Sequence, residues 1–197
     1  MAERTQSLAL ALVVAVVAFL LCGCATASSN GDDQVVKAAV ELAEEYRSRG
    51  CVEEAIDVYD RALDQTYDYR LLYNKALLVA YSGDYEHAAM QCQEGFEQFP
   101  HVLAFKKAQA KYYIELERLS DAVSSYLEVL ELDPYDTVTR KELISLYTTT
   151  KEQEKAVEQA TILWNQGYRT SEVLGLMKTP LDSSNTDSSN TDSSKED

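Results

Sequence analysis

The stretch that decides the fold is "GDYEHAAMQCQEGFEQFP", Gly83–Pro100, because its pattern occurs four times along the 197-residue chain. The related stretches are "GCVEEAIDVYDRAL" from Gly50, "ERLSDAVSSYLEVL" from Glu117 and "KEQEKAVEQATILW" from Lys151. Aligning them superimposes one alanine from each, at spacings of 33, 34 and 34 residues: Ala55, Ala88, Ala122 and Ala156. A fixed period of this length is typical of proteins built from stacked supersecondary units.

Every repeat has the same internal pattern. An amphipathic helix leads to a tight turn, which Gly50 and Gly83 mark in the first two repeats. A second amphipathic helix follows, and a breaker such as Pro100 or Pro134 ends it. The small alanine lets two helices approach closely, so the pattern predicts a series of antiparallel helix pairs.

Two segments resemble the tetratricopeptide repeat: the one from Leu72 through Ala88 to Pro100, and "YLEVLELDPYD" at Tyr126–Asp136. The resemblance implies an all-α fold, a right-handed α-solenoid of about four helix-turn-helix repeats. These are expected within a domain of residues 34–180, which ends in a C-terminal cap around Glu172–Met177. The repeats are placed at Val36–Thr66, Tyr69–Val102, Leu103–Asp136 and Thr137–Thr170. The fourth lacks both the turn glycine and the closing proline.

The first helix of the third repeat has two possible buried faces. One consists of Phe105, Ala108 and Tyr112, and the other of Lys106, Gln109 and Tyr113. We favour the first face because it buries no lysine.

The amino-terminal segment has the pattern of a processing signal. Leu8–Leu21 is an uninterrupted apolar run, and "LCGC" at Leu21–Cys24 resembles the lipobox of bacterial lipoproteins. The resemblance implies a signal peptide at 1–23, lipidation of Cys24 and a flexible tether over 24–33. An uncleaved membrane helix over Leu8–Ala25 and an ordinary secretory signal remain alternatives. At the other end, the acidic Ser/Asn/Asp-rich residues 181–197 predict a disordered tail.

Composition excludes several classes of function. The net charge of −15 argues against nucleic acid as a partner and against electrostatic attachment to an anionic membrane. The sequence has no phosphate-binding, hydrolase or metalloprotease motif, and its two histidines, His87 and His101, have no metal-ligand spacing. We therefore expect a protein that is not an enzyme, with no cofactor, no catalytic residue and no metal. Cys92 is expected to be a free, buried thiol.

The resemblance also implies a concave binding groove formed by the first helix of each repeat. The groove positions here are Lys37, Arg47, Arg70, Tyr73, Leu77, Tyr81, Lys107, Lys111 and Lys141. Such a surface would suit an acidic or extended protein segment. Alternatively, these cations only offset neighbouring acids. The chaperone-type carboxylate clamp is not reproduced, since Ala104 and Ala108 stand where cations are needed.

These observations favour a membrane-anchored lipoprotein that acts as a scaffold or accessory subunit in bacterial envelope assembly or transport. Its partners would be envelope proteins, and acyl chains on Cys24 would hold it at the periplasmic face of the outer or inner membrane. The alternative is a periplasmic small-molecule or peptide-binding subunit of a transport system.

Overall fold

The computed structural model describes residues 31–178, and all regular secondary structure in that range is α-helical. The chain forms two compact units, the first ending at Glu117 and the second beginning at Arg118. The first unit contains α1 (31–48), α2 (Val52–Leu63), α3 (Tyr69–Tyr81), α4 (Tyr85–Gln98) and α5 (Ala104–Glu115). The second contains α6 (Leu119–Leu132), α7 (Thr137–Thr149), α8 (Gln153–Asn165) and α9 (Ser171–Lys178). Each predicted repeat contains two of these helices, and α9 lies where the cap is expected.

Three helices begin at aspartates that cap them. The side chain of Asp68 accepts a hydrogen bond from Arg70 N at the start of α3, and Asp84 accepts one from His87 N at the start of α4. Asp136 accepts from two backbone amides at the start of α7. Such caps satisfy amides that have no partner within the helix, and they fix where these helices start.

The turns between the two helices of each predicted repeat share one backbone feature. Gly50 and Gly83 have φ angles of 79° and 92°, in the left-handed region that glycine adopts without steric penalty. Glu117 and Lys151, at the equivalent sequence positions of the other two repeats, also have positive φ angles, of 57° and 62°. The fourth pair therefore keeps the turn although it lacks the glycine.

The four aligned alanines are all buried. In the first unit, Ala55 and Ala88 are fully buried, each within a hydrophobic cluster of its own. In the second unit, Ala122 and Ala156 are also fully buried. The repeat period thus arises from positions at which a larger side chain would separate the helices.

The structure buries the predicted face of α5 but contradicts the reason given for it. Phe105, Ala108 and Tyr112 are all buried, as predicted, but Gln109 of the competing face is buried too. Lys106 is buried as well, however, so the expectation that no lysine is buried was wrong. Lys106 Nζ donates to Gln93 Oε1 at 2.8 Å and lies 5.1 Å from the centre of the Phe96 ring. Polar and aromatic groups of α4 compensate its charge.

The described part of the tether is helical. Residues 31–33 belong to α1, so the helix includes the last three positions assigned to the tether. The predicted signal peptide, Cys24, the rest of the tether and the predicted tail 181–197 lie outside the described residues. Among the described residues, no helix has both the length and the apolar character needed to cross a membrane.

Candidate functional site

The first candidate surface is a row of large side chains along α3. Tyr69, Tyr73, Leu77 and Tyr81 are spaced four residues apart, which places them along one side of the helix. Leu77 is 40% exposed and Tyr81 60% exposed, whereas Tyr73 is half-buried and meets Phe105 edge-on at 5.6 Å. Burial raises the pKa of Tyr73. We call these four residues the α3 row; its exposed end consists of Leu77 and Tyr81.

Arg47 of α1 extends this exposed end. Its guanidinium lies 5.3 Å from the centre of the Tyr81 ring, within the range of a cation–π contact. The same guanidinium forms a two-point contact with Glu44, with Nε donating to Oε2 at 2.8 Å and Nη2 to Oε1 at 2.5 Å. This hydrogen bonding raises the pKa of Arg47 and lowers that of Glu44. Two of the predicted groove residues, Arg47 and Tyr81, are therefore in contact.

Arg70 is held by two acids of the first unit. Its Nε and Nη2 donate to the Asp68 carboxylate at 2.9 and 2.7 Å, and Nη2 also donates to Asp33 at 2.6 Å. Because Asp68 caps α3 at the same time, this cluster fixes the start of the helix. The hydrogen bond from Arg70 holds the pKa of Asp68 below its usual value. Arg70 thus has a local structural role.

The other predicted cations of the first unit lie in different surroundings. Lys37 is exposed and its Nζ lies 3.9 Å from Glu41 on the next turn. Lys107 is half-buried on α5, and Lys111 is exposed on the same helix. For Lys37, Arg47 and Arg70, the structure shows local charge compensation, which is the alternative reading of these cations.

The second candidate surface is a cleft within the second unit, formed by α7, α8 and α9. It encloses about 280 Å³. The buried side chains Ile144, Leu163 and Val173 contribute to its apolar wall. Polar side chains complete it: Lys141, Ser145, Thr148, Thr149, Tyr168, Thr170 and Glu172. Lys141 was a predicted groove residue, and the structure places it at this cleft.

Lys141 is oriented by an aromatic ring. Its Nζ lies 3.9 Å from the centre of the Tyr168 ring and donates a hydrogen bond to the Tyr168 hydroxyl. An ammonium group has three donors, so this contact leaves donors for a ligand. Glu172 of α9 is an exposed part of the same lining. The cleft therefore combines an apolar wall with one cation and one anion.

Sequence reasoning missed Tyr168, Glu172 and the cleft itself. The expected groove consisted only of positions on the first helix of each repeat, whereas Tyr168 lies in the loop after α8. Two sequence features could have indicated the cleft. One is Gly167, which adopts a φ of 94° where the chain turns after α8, and the other is the set of apolar residues in the predicted cap. Those features place a further helix, α9, against α8, and α9 completes the lining of the cleft.

The cysteines and histidines form no reactive centre in the described part of the chain. Cys92 is free and fully buried, as predicted, and burial raises its pKa to about 12. Cys51 is free and half-exposed. His87 is exposed, with Nδ1 2.6 Å from an oxygen of Asp84, and His101 is exposed beside Phe99. No group of metal-ligating side chains is present within residues 31–178.

Comparison with curated proteins gives a partial match. No protein-family model matches the chain. The ER membrane protein complex subunit 2-B of Xenopus laevis is 26% identical over 113 residues, covering 54% of this chain. The match spans only 38% of the length of the frog subunit.

Solved structures resemble the chain more extensively. A tetratricopeptide repeat protein from Parabacteroides merdae has a TM-score of 0.62 at 15% identity, covering 73% of this chain and 58% of its own. YrrB, described as a tetratricopeptide protein with an unusual peptide-binding site, has a TM-score of 0.55 at 18% identity, with coverages of 73% and 74%. The first such domain of Spaghetti (RPAP3), bound to an HSP90 peptide, has a TM-score of 0.52 at 23% identity, with coverages of 60% and 97%. The fold of this chain is the all-α tetratricopeptide-repeat fold, as its sequence predicts.

Proposed function

We propose that this protein is a membrane-anchored scaffold or accessory subunit for protein–protein interaction in bacterial envelope assembly or transport. The observation that carries the interaction role is the exposed end of the α3 row, where Leu77 and Tyr81 lie open to solvent beside Arg47. Tyrosine and arginine are, with tryptophan, the residues enriched at binding hot spots, and adjacent exposed apolar groups are typical of interfaces.

The partner is an extended segment of another envelope protein. Two solved proteins of this fold are described as peptide-binding, YrrB and the first domain of Spaghetti, which supports this mode of recognition. An acidic residue in the segment would compete with Glu44 for Arg47, because that guanidinium already makes a two-point contact. The main contribution therefore comes from apolar side chains that pack on Leu77 and Tyr81. An HSP90-type tail is not proposed, since Ala104 and Ala108 replace the clamp cations.

Photocrosslinking in the native host tests the interaction face. A photoreactive phenylalanine analogue replaces Tyr81, and captured proteins are identified by mass spectrometry. The matched control carries the analogue at Tyr135, a tyrosine that is 77% exposed and lies outside the α3 row. We expect one protein to be captured at 81 and not at 135, and to be lost when Leu77→Ser is added. Capture that is equal at both positions contradicts the proposal.

The membrane anchor in this proposal rests on the sequence "LCGC" at Leu21–Cys24. Two or more acyl chains on Cys24 would hold the protein stably, because each buried methylene contributes about 0.8 kcal/mol. Radiolabelled palmitate is expected to enter the protein and to be lost in Cys24→Ala. Cys22→Ala is the matched control and should retain the label. Label that persists in Cys24→Ala refutes the lipid anchor and leaves the interaction face to be judged by crosslinking.

A second function is favoured by the cleft of the second unit. A cavity of about 280 Å³ with an apolar wall and a few polar groups is typical of small-ligand sites, near the lower end of their size range. The protein would then be a periplasmic small-molecule or peptide-binding subunit of a transport system. Both functions are compatible, because the α3 row and the cleft belong to different units.

A further inference from the structure

We propose that the cleft formed by α7, α8 and α9 binds a small zwitterion with one apolar side chain, that is, a free amino acid or a dipeptide. The inference deepens the second of the two functions above and does not depend on the first. It rests on the chemistry of the lining, which presents a cation, an anion and an apolar wall around one cavity.

The cationic contact is Lys141. Its Nζ is positioned by the face and hydroxyl of Tyr168, so it does not have to be ordered when a ligand arrives. The Tyr168 contact uses one of three donors, and the others are available for a carboxylate. A lysine ammonium and a carboxylate form a charge-assisted hydrogen bond, which is stronger than a neutral one.

The anionic contact is Glu172 on α9. Its presence argues against a simple anion, such as a fatty acid or a phosphate group, because a second negative charge in the cavity would be repelled. A ligand that carries both an ammonium and a carboxylate group satisfies Glu172 and Lys141 together. Opposite charges on the protein thus match opposite charges on the ligand.

The remaining lining determines the body of the ligand. Ile144, Leu163 and Val173 are buried and offer an apolar surface of the kind that accepts a branched aliphatic side chain. The hydroxyl groups of Thr148 and Thr149 donate to the backbone carbonyls of Ile144 and Ser145, with oxygen–oxygen distances of 2.8 and 2.9 Å. The hydroxyl oxygens can therefore accept hydrogen bonds from a ligand. The volume of about 280 Å³ suits one or two residues rather than a folded partner.

A matched ligand series tests each contact by isothermal titration of the full chain. L-leucine and the dipeptide alanyl-leucine are the candidate ligands, and the tighter of the two decides between the two sources. Isocaproate lacks the ammonium, isopentylamine lacks the carboxylate and glycine lacks the side chain. We expect binding of leucine or the dipeptide and at least tenfold weaker binding of all three analogues, since each loses a charged or apolar contact.

Variants then assign the contacts to residues. Lys141→Met and Glu172→Gln are each expected to weaken binding about tenfold or more. Lys155→Met is the matched control, because Lys155 is also exposed in the second unit and lies 5.4 Å from the centre of a tyrosine ring, that of Tyr147. It should leave binding unchanged, and circular dichroism should show all three variants folded.

Three results would overturn the proposal. The first is the absence of heat for both leucine and alanyl-leucine at millimolar concentration. The second is equal binding of leucine and isocaproate, which would show that Glu172 has no ligand contact. The third is equal binding of leucine and N-acetyl-leucine, which would assign the cleft to the carboxyl terminus of a protein. None of these outcomes affects the crosslinking result at the α3 row, so the first function is tested independently.

Discussion

Gly95 in α4 lies directly against Phe105 of α5, and replacing it with alanine is expected to destabilise the protein. A Cβ atom at this position would lie 2.4 Å from Cε1 of Phe105, 2.7 Å from Cζ and 2.8 Å from Cδ1. All three contacts are shorter than van der Waals distance, so the phenyl ring would have to retreat by about 1 Å. Phe105 is fully buried and packs edge-on against Tyr73, so it has little space to do so.

Two opposing effects set the magnitude. Alanine is favoured over glycine within a helix by about 1 kcal/mol. Overpacking a well-packed core costs about 1–3 kcal/mol. The contact of 2.4 Å lies at the severe end of that range, because the ring belongs to a fully buried side chain. We therefore expect Gly95→Ala to lower the free energy of unfolding by about 1–2 kcal/mol after the helix gain is subtracted.

Urea unfolding followed by far-UV circular dichroism measures the change. Gly175→Ala is the matched control, because Gly175 also lies within a helix, α9, but a Cβ there would meet nothing within 4 Å. The control should gain up to about 1 kcal/mol from helix propensity alone. Phe105→Leu in the Gly95→Ala background should recover part of the loss by making room. If Gly95→Ala is as stable as the parent chain, α4 and α5 do not pack as closely as the structure shows.

Three further predictions follow from the turns, the caps and the thiols. Asp68→Asn keeps the helix cap but loses the ion pair, so at pH 7 it should cost about 0.5–1 kcal/mol. The pKa of Asp68 in the folded protein lies below its ordinary value of 3.8. The stabilisation by the ion pair is therefore fully present above pH 3.8 and is lost as the pH falls through the folded-state pKa. Urea unfolding of both proteins at about pH 7 and about pH 3 measures this loss. Lys151→Gly should raise the free energy of unfolding by about 0.5–1 kcal/mol, because residue 151 has a φ of 62°, which glycine adopts without steric penalty. A melting temperature lower than that of the parent chain would contradict this. Iodoacetamide at pH 8 should label Cys51 and leave Cys92, whose pKa is raised to about 12, until urea is added, as peptide mass spectrometry would show.

The repeat period could be predicted from the sequence because it depends on residue size at fixed positions. Ala88 and its three equivalents are all fully buried, so any larger side chain there would be visible as a break in the pattern.

Turn geometry was only partly predictable. Gly83 indicates a positive φ, whereas Lys151 adopts one in the turn between α7 and α8 although lysine does not favour that conformation.

Burial of charged residues could not be predicted from periodicity alone. Lys106 lies one position from Phe105 on α5, and both are buried, because α4 presents a compensating group to the lysine. Arg140 of α7 is a second example, buried while it donates to Gln159 Oε1 at 2.5 Å and to the Pro134 carbonyl at 2.7 Å. In both cases the partner lies more than five residues away in the sequence, so no local pattern reveals it.

The predicted basic groove shows how an acidic chain constrains its own cations. Arg47 and Arg70 occupy predicted groove positions, but each already makes a two-point contact with a carboxylate within three residues in the sequence. An acidic ligand would have to displace that carboxylate, and the gain would be only the difference between two similar ion pairs. A partner can bury the exposed apolar surface of Leu77 and Tyr81 without displacing a carboxylate, although Arg47 already lies 5.3 Å from the centre of the Tyr81 ring, and burying that surface is a net gain. Affinity at the α3 row should therefore vary with the apolar side chains of a partner more than with its net charge.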